Sequence, residues 1–169
     1  SLGIDDFLLA YPAIQQPDLD SVANLSSEGR RICMVVDAPE VLARLGQTAR
    51  EHATQIDVCL CVDMSLKLAK GALHLGVRRS PLHSPAAVLD LARRVSDTPG
   101  LRFHGLMAYE AQVAGLGDNN PFDPGKNSIK SLIRAFSSRE LGERRATMVQ
   151  LLKQAGLEPR LVNGGGSGS

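Results

Sequence analysis

Short, nearly continuous apolar runs recur along the chain: DFLLAYP (6–12), ICMVVDAP (32–39), IDVCLCVD (56–63), RFHGLMAYE (102–110) and PRLVNGGG (159–166). Each is rich in Val, Leu, Ile, Cys or Met and shows little polar alternation. That is the pattern of strands covered on both faces, as in parallel sheets. Helical periodicity fills the intervals. Residues 17–29 place Leu19, Val22 and Leu25 on one face. Residues 39–53 open on Pro39 and Glu40, both suited to a first helical turn, and carry Val41, Leu42 and Leu45 as an apolar stripe. Residues 84–100 offer Ser84 as an N-cap and Pro85 at the first helical position, and stop before Pro99-Gly100. The longest pattern, 126–156, carries Ile129, Leu132, Ile133 and Phe136, then Met148, Leu151 and Leu152. Gly142 marks an expected break in it and Gly156 an expected C-cap.

The order is therefore β-α-β-α-β-loop-α-β-loop-α-β, a series of βα units with right-handed crossovers. An open doubly wound sheet fits, and so does part of an eight-stranded barrel. A whole barrel needs about 250 residues, and this chain has 169. The chain opens at Ser1, and 5–12 already reads as core, which suggests a segment cut from a longer chain.

Composition narrows the function classes. A formal net charge of +1, with no block of like charge, gives no reason to expect nucleic acid or an acidic membrane as partner. No apolar run approaches the length of a membrane span, and no basic leader opens the chain. Cys33, Cys59 and Cys61 form no disulfide framework and read as buried, reduced thiols of a cytoplasmic protein.

In either architecture ligands gather at the C-terminal ends of the strands. Asp37, Asp63 and the cluster Tyr109, Glu110 and Gln112 fall there. So does the final run GGGSGS, 164–169. Successive glycine amides converge on an anion where no side chain blocks approach, and Ser167 and Ser169 add hydroxyls. A cloning linker has the same composition.

Residues 100–118, GLRFHGLMAYEAQVAGLGD, decide between them by resemblance. Together with 159–169 they resemble the fold-type III enzymes that use pyridoxal phosphate (PLP). The likeness is to the D-threonine aldolase and D-serine dehydratase group, whose barrel is alanine racemase-like. Gly105, Leu106 and Tyr109 match a strand that runs into a Tyr-containing loop. Gly164, Gly165, Gly166, Ser167 and Gly168 match the loop that holds the cofactor phosphate. The resemblance implies a partial (β/α)8 barrel of about five parallel strands and four helices, lacking the first and the last strands. It implies one segment of the PLP-binding barrel over 1–169, with a C-terminal β domain absent. Tyr109 would lie beside the cofactor, with Gln112 and Asp63 as positioning groups.

The same comparison shows gaps. The family's cofactor-bearing lysine lies in a basic motif that does not occur here, and Lys67, Lys70, Lys126, Lys130 and Lys153 read as surface residues. His52, His74, His83 and His104 lack metal-ligand spacing; a divalent metal would belong to the full-length protein. Where relatives place an arginine against the pyridine nitrogen, this chain has His74, with Arg78 and Arg79 following, and residues 65–73 resemble an insertion. The family resemblance implies a lyase of the aldolase or deaminase type, a D-amino acid substrate and a homodimer, with this segment inactive alone. Two alternatives remain at this level: a non-catalytic PLP-binding barrel, and an unrelated sugar-phosphate enzyme using Asp37, Asp63 or Glu110 for acid–base chemistry.

Overall fold

The computed structural model describes residues 5–68, 73–75, 80–108 and 127–164, and their side chains over 5–65, 80–108 and 139–164. Strands β1 (Asp6–Leu9), β2 (Arg31–Val36), β3 (Ile56–Cys61), β6 (Leu101–Met107) and β7 (Leu161–Asn163) form one sheet in the order β1-β2-β3-β6-β7. Every pairing in it is parallel. Helices α1 (Gln16–Ser27), α2 (Leu42–Glu51), α3 (Pro85–Asp97) and α4 (Asn127–Gln154) alternate with the strands. This is the half-barrel of five strands and four helices that the sequence implies. The expected loop after β3 also contains an antiparallel hairpin, β4 (Leu66–Leu68) and β5 (Leu73–Leu75), in which Lys67 faces His74 across the register.

Helix limits follow local chemistry. Ser84 Oγ accepts a hydrogen bond from the Ala87 amide at 3.2 Å, capping α3 as its sequence predicts. Gly156, at φ +74°, ends α4 in the left-handed region open to glycine. A 3-10 turn, Pro39–Val41, precedes α2.

The expected break at Gly142 does not occur. A Cβ there would meet nothing within 4 Å, and a helical glycine costs only about 1 kcal/mol. Burial of Leu141, Met148 and Leu152 outweighs that cost.

The sheet separates two apolar layers. Ile32, Met34 and Val36 of β2 and Ile56, Val58 and Leu60 of β3 pack under the helices, against Leu19, Leu45, Val88, Leu91 and Met148. The opposite face collects Cys33, Val35, Cys59, Cys61 and Met107. Double-sided burial holds for β2 and β3 and fails at β1, where Phe7 and Leu9 are 38% and 37% exposed. An edge strand has a neighbour on one side only. At Gly105, a Cβ would lie 2.0 Å from the Leu161 carbonyl oxygen, so β6 and β7 approach closely only because no side chain stands there.

Candidate functional site

The strands β3, β6 and β7 end at one level. Val62 N donates to Met107 O at 2.9 Å, and Ala108 N donates to Asn163 O at 2.7 Å. Beyond β3 the chain folds back on its own exit. Asp63 is buried and accepts from Ser65 twice, from the amide and from the hydroxyl, each at 2.9 Å. After the hairpin, Ser80 Oγ donates to Cys61 O at 2.7 Å and accepts from Leu82 N at 3.0 Å. Asp63 N donates to Leu82 O at 2.7 Å. The hairpin is thus held between two pinned feet.

Helix α4 closes this bracket. Arg144 Nη2 donates to Ser65 O at 3.1 Å, and Nη1 lies 3.0 Å from His83 Nε2. The same Nη1 lies 3.4 Å from Nδ1, so the guanidinium rests against the imidazole ring. A backbone carbonyl only accepts, so Nδ1–H donates to Asp63 O at 3.0 Å. Glu140 Oε1 stands 3.9 Å from Arg144 Nε, one turn back.

The neighbouring arginine serves the other end of the rim. Leu141, Met148 and Leu152 are the buried stripe of α4, and Arg144 and Arg145 occupy half-buried positions on that same stripe. A Cβ built at Gly164, the first residue beyond β7, would lie 2.8 Å from Arg145 Cζ and 2.9 Å from its Nη2. The guanidinium fills the space that glycine leaves empty. With 28 residues, α4 is about 42 Å long, against about 23 Å for the seven residues of β6. The helix therefore extends past the strand ends, and its two arginines stand near them.

Of the residues the sequence picks out, Gly164 lies at this rim. Gly165, Gly166, Ser167, Gly168, Tyr109, Glu110, Gln112 and Arg79 lie outside the described residues. His74 sits in β5, and its side chain is outside them too. Asp63 is committed to Ser65 rather than presented to a ligand. Asp37, beyond β2, has its carboxyl pushed above the usual aspartate range, first by burial and then by Glu40. Lys153 pairs with Glu158 at 2.8 Å, on α4 and far from the strand ends. Arg144, Arg145 and His83 are functional candidates that the sequence reading missed. The signal was present: the apolar period of α4 places 144 and 145 on its buried face.

The opposite end of the sheet carries a separate polar set. Asp57 is buried and accepts from two of the Arg102 nitrogens, Nε and Nη2, the latter at 2.9 Å, and His104 Nδ1 lies 3.4 Å away. The Arg102 guanidinium is held above its usual pKa by this carboxylate. Above Asp57 on the same face, the thiols of Cys33 and Cys59 are 3.0 Å apart. The contact with Cys59, and then burial, push the Cys33 thiol far up. Among the described residues, no three His, Cys, Asp or Glu side chains are grouped to hold a metal ion, and no helix is long and apolar enough to cross a membrane.

This architecture is known. The structure superposes on D-threonine aldolase from Filomicrobium marinum with a TM-score of 0.75 at 22% identity, over 99% of this chain and 39% of that one. It superposes on alanine racemase of Clostridium difficile 630 with a TM-score of 0.59 at 13% identity, over 96% and 34%. The fold is a partial alanine racemase-like barrel. Relatives in sequence match the barrel throughout. The chain is 25% identical over 167 residues to the 3-hydroxy-D-aspartate aldolase of Paracoccus denitrificans (strain Pd 1222), covering 99% of this chain and 37% of that protein. It is 27% identical over 167 residues to the D-threonine aldolase of an Arthrobacter species, covering 99% and 38%. The resemblance to fold-type III PLP enzymes therefore runs along nearly the whole chain, while the chain spans little more than a third of these relatives' length. No family model matches it.

Proposed function

We propose that this chain supplies the phosphate-binding side of a PLP-dependent lyase acting on D-amino acids, of the D-threonine aldolase or D-serine dehydratase type. The observation that carries the reading is Gly164. It leaves β7 at the catalytic end of an alanine racemase-like barrel, with a guanidinium filling the space beside it. Glycine backbone and a neighbouring cation suit an anionic group. The names of the two relatives supply the reaction class, which favours a lyase over a non-catalytic carrier or a sugar-phosphate enzyme.

In this reading the amides of Gly164–Gly168 and the Ser167 hydroxyl hold the phosphate. Tyr109 orients the ring or the substrate, and His74 or Arg79 faces the ring nitrogen. When bound, PLP withdraws electrons from the bonds at the substrate Cα. The bracket of Asp63, Ser65, His83 and Arg144 holds the β3 exit, and with it the hairpin that carries His74, against α4. The cofactor-bearing lysine, a divalent metal and a C-terminal β domain belong to the full-length protein. That protein is a cytoplasmic homodimer in this proposal, and residues 1–169 alone are inactive.

The test is an absorbance spectrum of the full-length protein purified with PLP, before and after borohydride. A band at roughly 410–430 nm that borohydride abolishes supports a lysine-bound PLP enzyme. A flat spectrum, with no PLP retained, overturns the reading.

A further inference from the structure

Arg144 stands on the core-facing stripe of α4, between Leu141 and Met148, with 12% of its side chain exposed. The Asp63 carboxylate and Ser65 near it are buried. Taking such charges out of water costs free energy, and apolar residues packed in their place are often as stable or more so. What hydrogen-bonded ions supply instead is a fixed geometry for the groups they touch. Here those groups flank the β4–β5 hairpin. Arg144 Nη2 donates to Ser65 O at 3.1 Å, and Ser65 is the residue immediately before β4. Nη1 rests against the His83 ring, and His83 immediately precedes Ser84, the N-cap of α3. Ser65 and His83 are also tied to Asp63, the first through its carboxylate and the second through its carbonyl. One side chain thus sets the root of the hairpin against α3 and α4. It does so at the C-terminal end of β3, the end at which barrels of this architecture carry their chemistry.

We propose that Arg144 is a positioning residue for the reaction: through Ser65 and His83 it aims the root of the β4–β5 hairpin at the catalytic end, and the surroundings of the bound cofactor depend on that aim. The proposal rests on the reading of the chain as part of a PLP-dependent lyase and adds the residue that sets this loop. A loop at the catalytic face works only when it is held to a fraction of an ångström, and a displacement of about 1 Å costs about 100-fold in rate. The hydrogen bonds among Asp63, Ser65, Ser80 and Leu82 hold the two feet of the hairpin to the exit of β3. Arg144 adds a third support from another element, and its planar fork fixes an angle as well as a distance.

The experiment uses the full-length protein. Calorimetric titration of the apoprotein gives PLP affinity, visible circular dichroism of bound PLP reports the asymmetry of its surroundings, and D-threonine is the substrate probe. Arg144→Gln is expected to keep PLP affinity within about threefold, to alter the visible dichroism band, and to lower kcat about 10- to 100-fold. Leu152→Ala, about two turns along the same stripe, is the structural control. It removes fully buried packing without touching Ser65 or His83. It should lower Tm at least as much as Arg144→Gln, yet leave the dichroism and kcat within about twofold. An Arg144→Gln protein with wild-type dichroism and kcat overturns the proposal, and so do changes that Leu152→Ala reproduces. If Arg144→Gln does not fold, Arg144→Lys decides. It keeps the charge without the planar fork, and a smaller change in the same two signals is expected; no change overturns the proposal. If the wild type holds PLP but leaves D-threonine intact, the dichroism alone decides. A wild type that retains no PLP overturns the lyase reading and this role with it. A PLP-bound wild type with an indifferent Arg144→Gln leaves that reading standing and removes only Arg144.

Discussion

Arg144 Nη1 lies 3.0 Å from Nε2 of His83, and that one contact joins α4 to a loop 61 residues earlier in the chain. The imidazole passes the link on through Nδ1 to the carbonyl of Asp63. The same guanidinium holds Ser65 O, so one side chain on α4 touches both the entry and the exit of the β4–β5 hairpin.

Removing that side chain is expected to free the hairpin before it unfolds the sheet. Arg144→Gln should cost about 1.5–3 kcal/mol, the usual range for hydrogen bonds to a charged group. Amide exchange at Ser65, Leu82 and His83 should accelerate while β2 and β3 stay protected. Hydrogen exchange read by mass spectrometry checks this, and uniform acceleration across the sheet would contradict it.

Gly105→Ala should be among the most damaging small changes in the chain. Its methyl would meet backbone, the Leu161 carbonyl at 2.0 Å, rather than a side chain able to turn away. A loss of about 3 kcal/mol or more is expected, with β7 detaching from β6. Gly142→Ala, where nothing lies within 4 Å, should instead stabilise by up to about 1 kcal/mol. Denaturant midpoints of the two variants give the comparison.

Asp57 and Arg102 form a pair with one buried and one half-exposed member, at 3% and 45% side-chain exposure. Arg102→Leu strands a buried carboxylate and should destabilise by about 2 kcal/mol, discounted for the exposed partner. Arg102→Leu combined with Asp57→Asn should recover part of that loss. A double-mutant cycle by chemical denaturation measures the coupling.

The raised pKa of Asp37 sets the sign of a pH effect. Its carboxyl binds a proton more readily folded than unfolded, where the ordinary value is 3.8. Its contribution to stability is complete below that value and is lost as pH rises through the folded pKa. Asp37→Asn should therefore raise Tm at pH 7, and the gain should vanish as pH falls below about 4. Thermal melts of both proteins at several pH values test it; a gain that grows on acidification would reverse the argument.

The thiols should be inert while the protein is folded. Cys33 and Cys59 are buried against one another, and the Cys33 thiol resists ionisation. Since thiolate is the reactive form, alkylation by iodoacetamide at pH 8 should be negligible until denaturant is added. Mass-resolved labelling reads this residue by residue.

Much of the fold was legible because periodicity and punctuation agreed. Continuous apolar runs with turn residues between them gave the five sheet strands, and Ser84, Pro85 and Gly156 set the helix limits where the structure has them. The hairpin was missed, because three-residue strands such as LKL and LHL are too short for a two-fold period to register. Gly142 misled for a different reason: packing on either side overrides a local preference. At the strand-end rim, the sequence picks out Gly164 and Asp63; Tyr109, Arg79 and residues 165–168 lie outside the described residues. Arg145 beside Gly164 is not picked out, since a sequence shows which residues share a helix face but not what lies opposite that face.

Two arginines and an apolar stripe now share one helical phase, and that constrains how α4 tolerates insertions and deletions. Losing one residue between Arg145 and Met148 would turn the two halves of the helix by 100° against each other. Either Met148 and Leu152 keep the core and both guanidinium groups swing away from the rim, or the arginines stay and the core opens. Point changes on the outer face of this segment should pass unnoticed. A gain or loss of a single codon should not, even though no residue that touches the rim would have been altered.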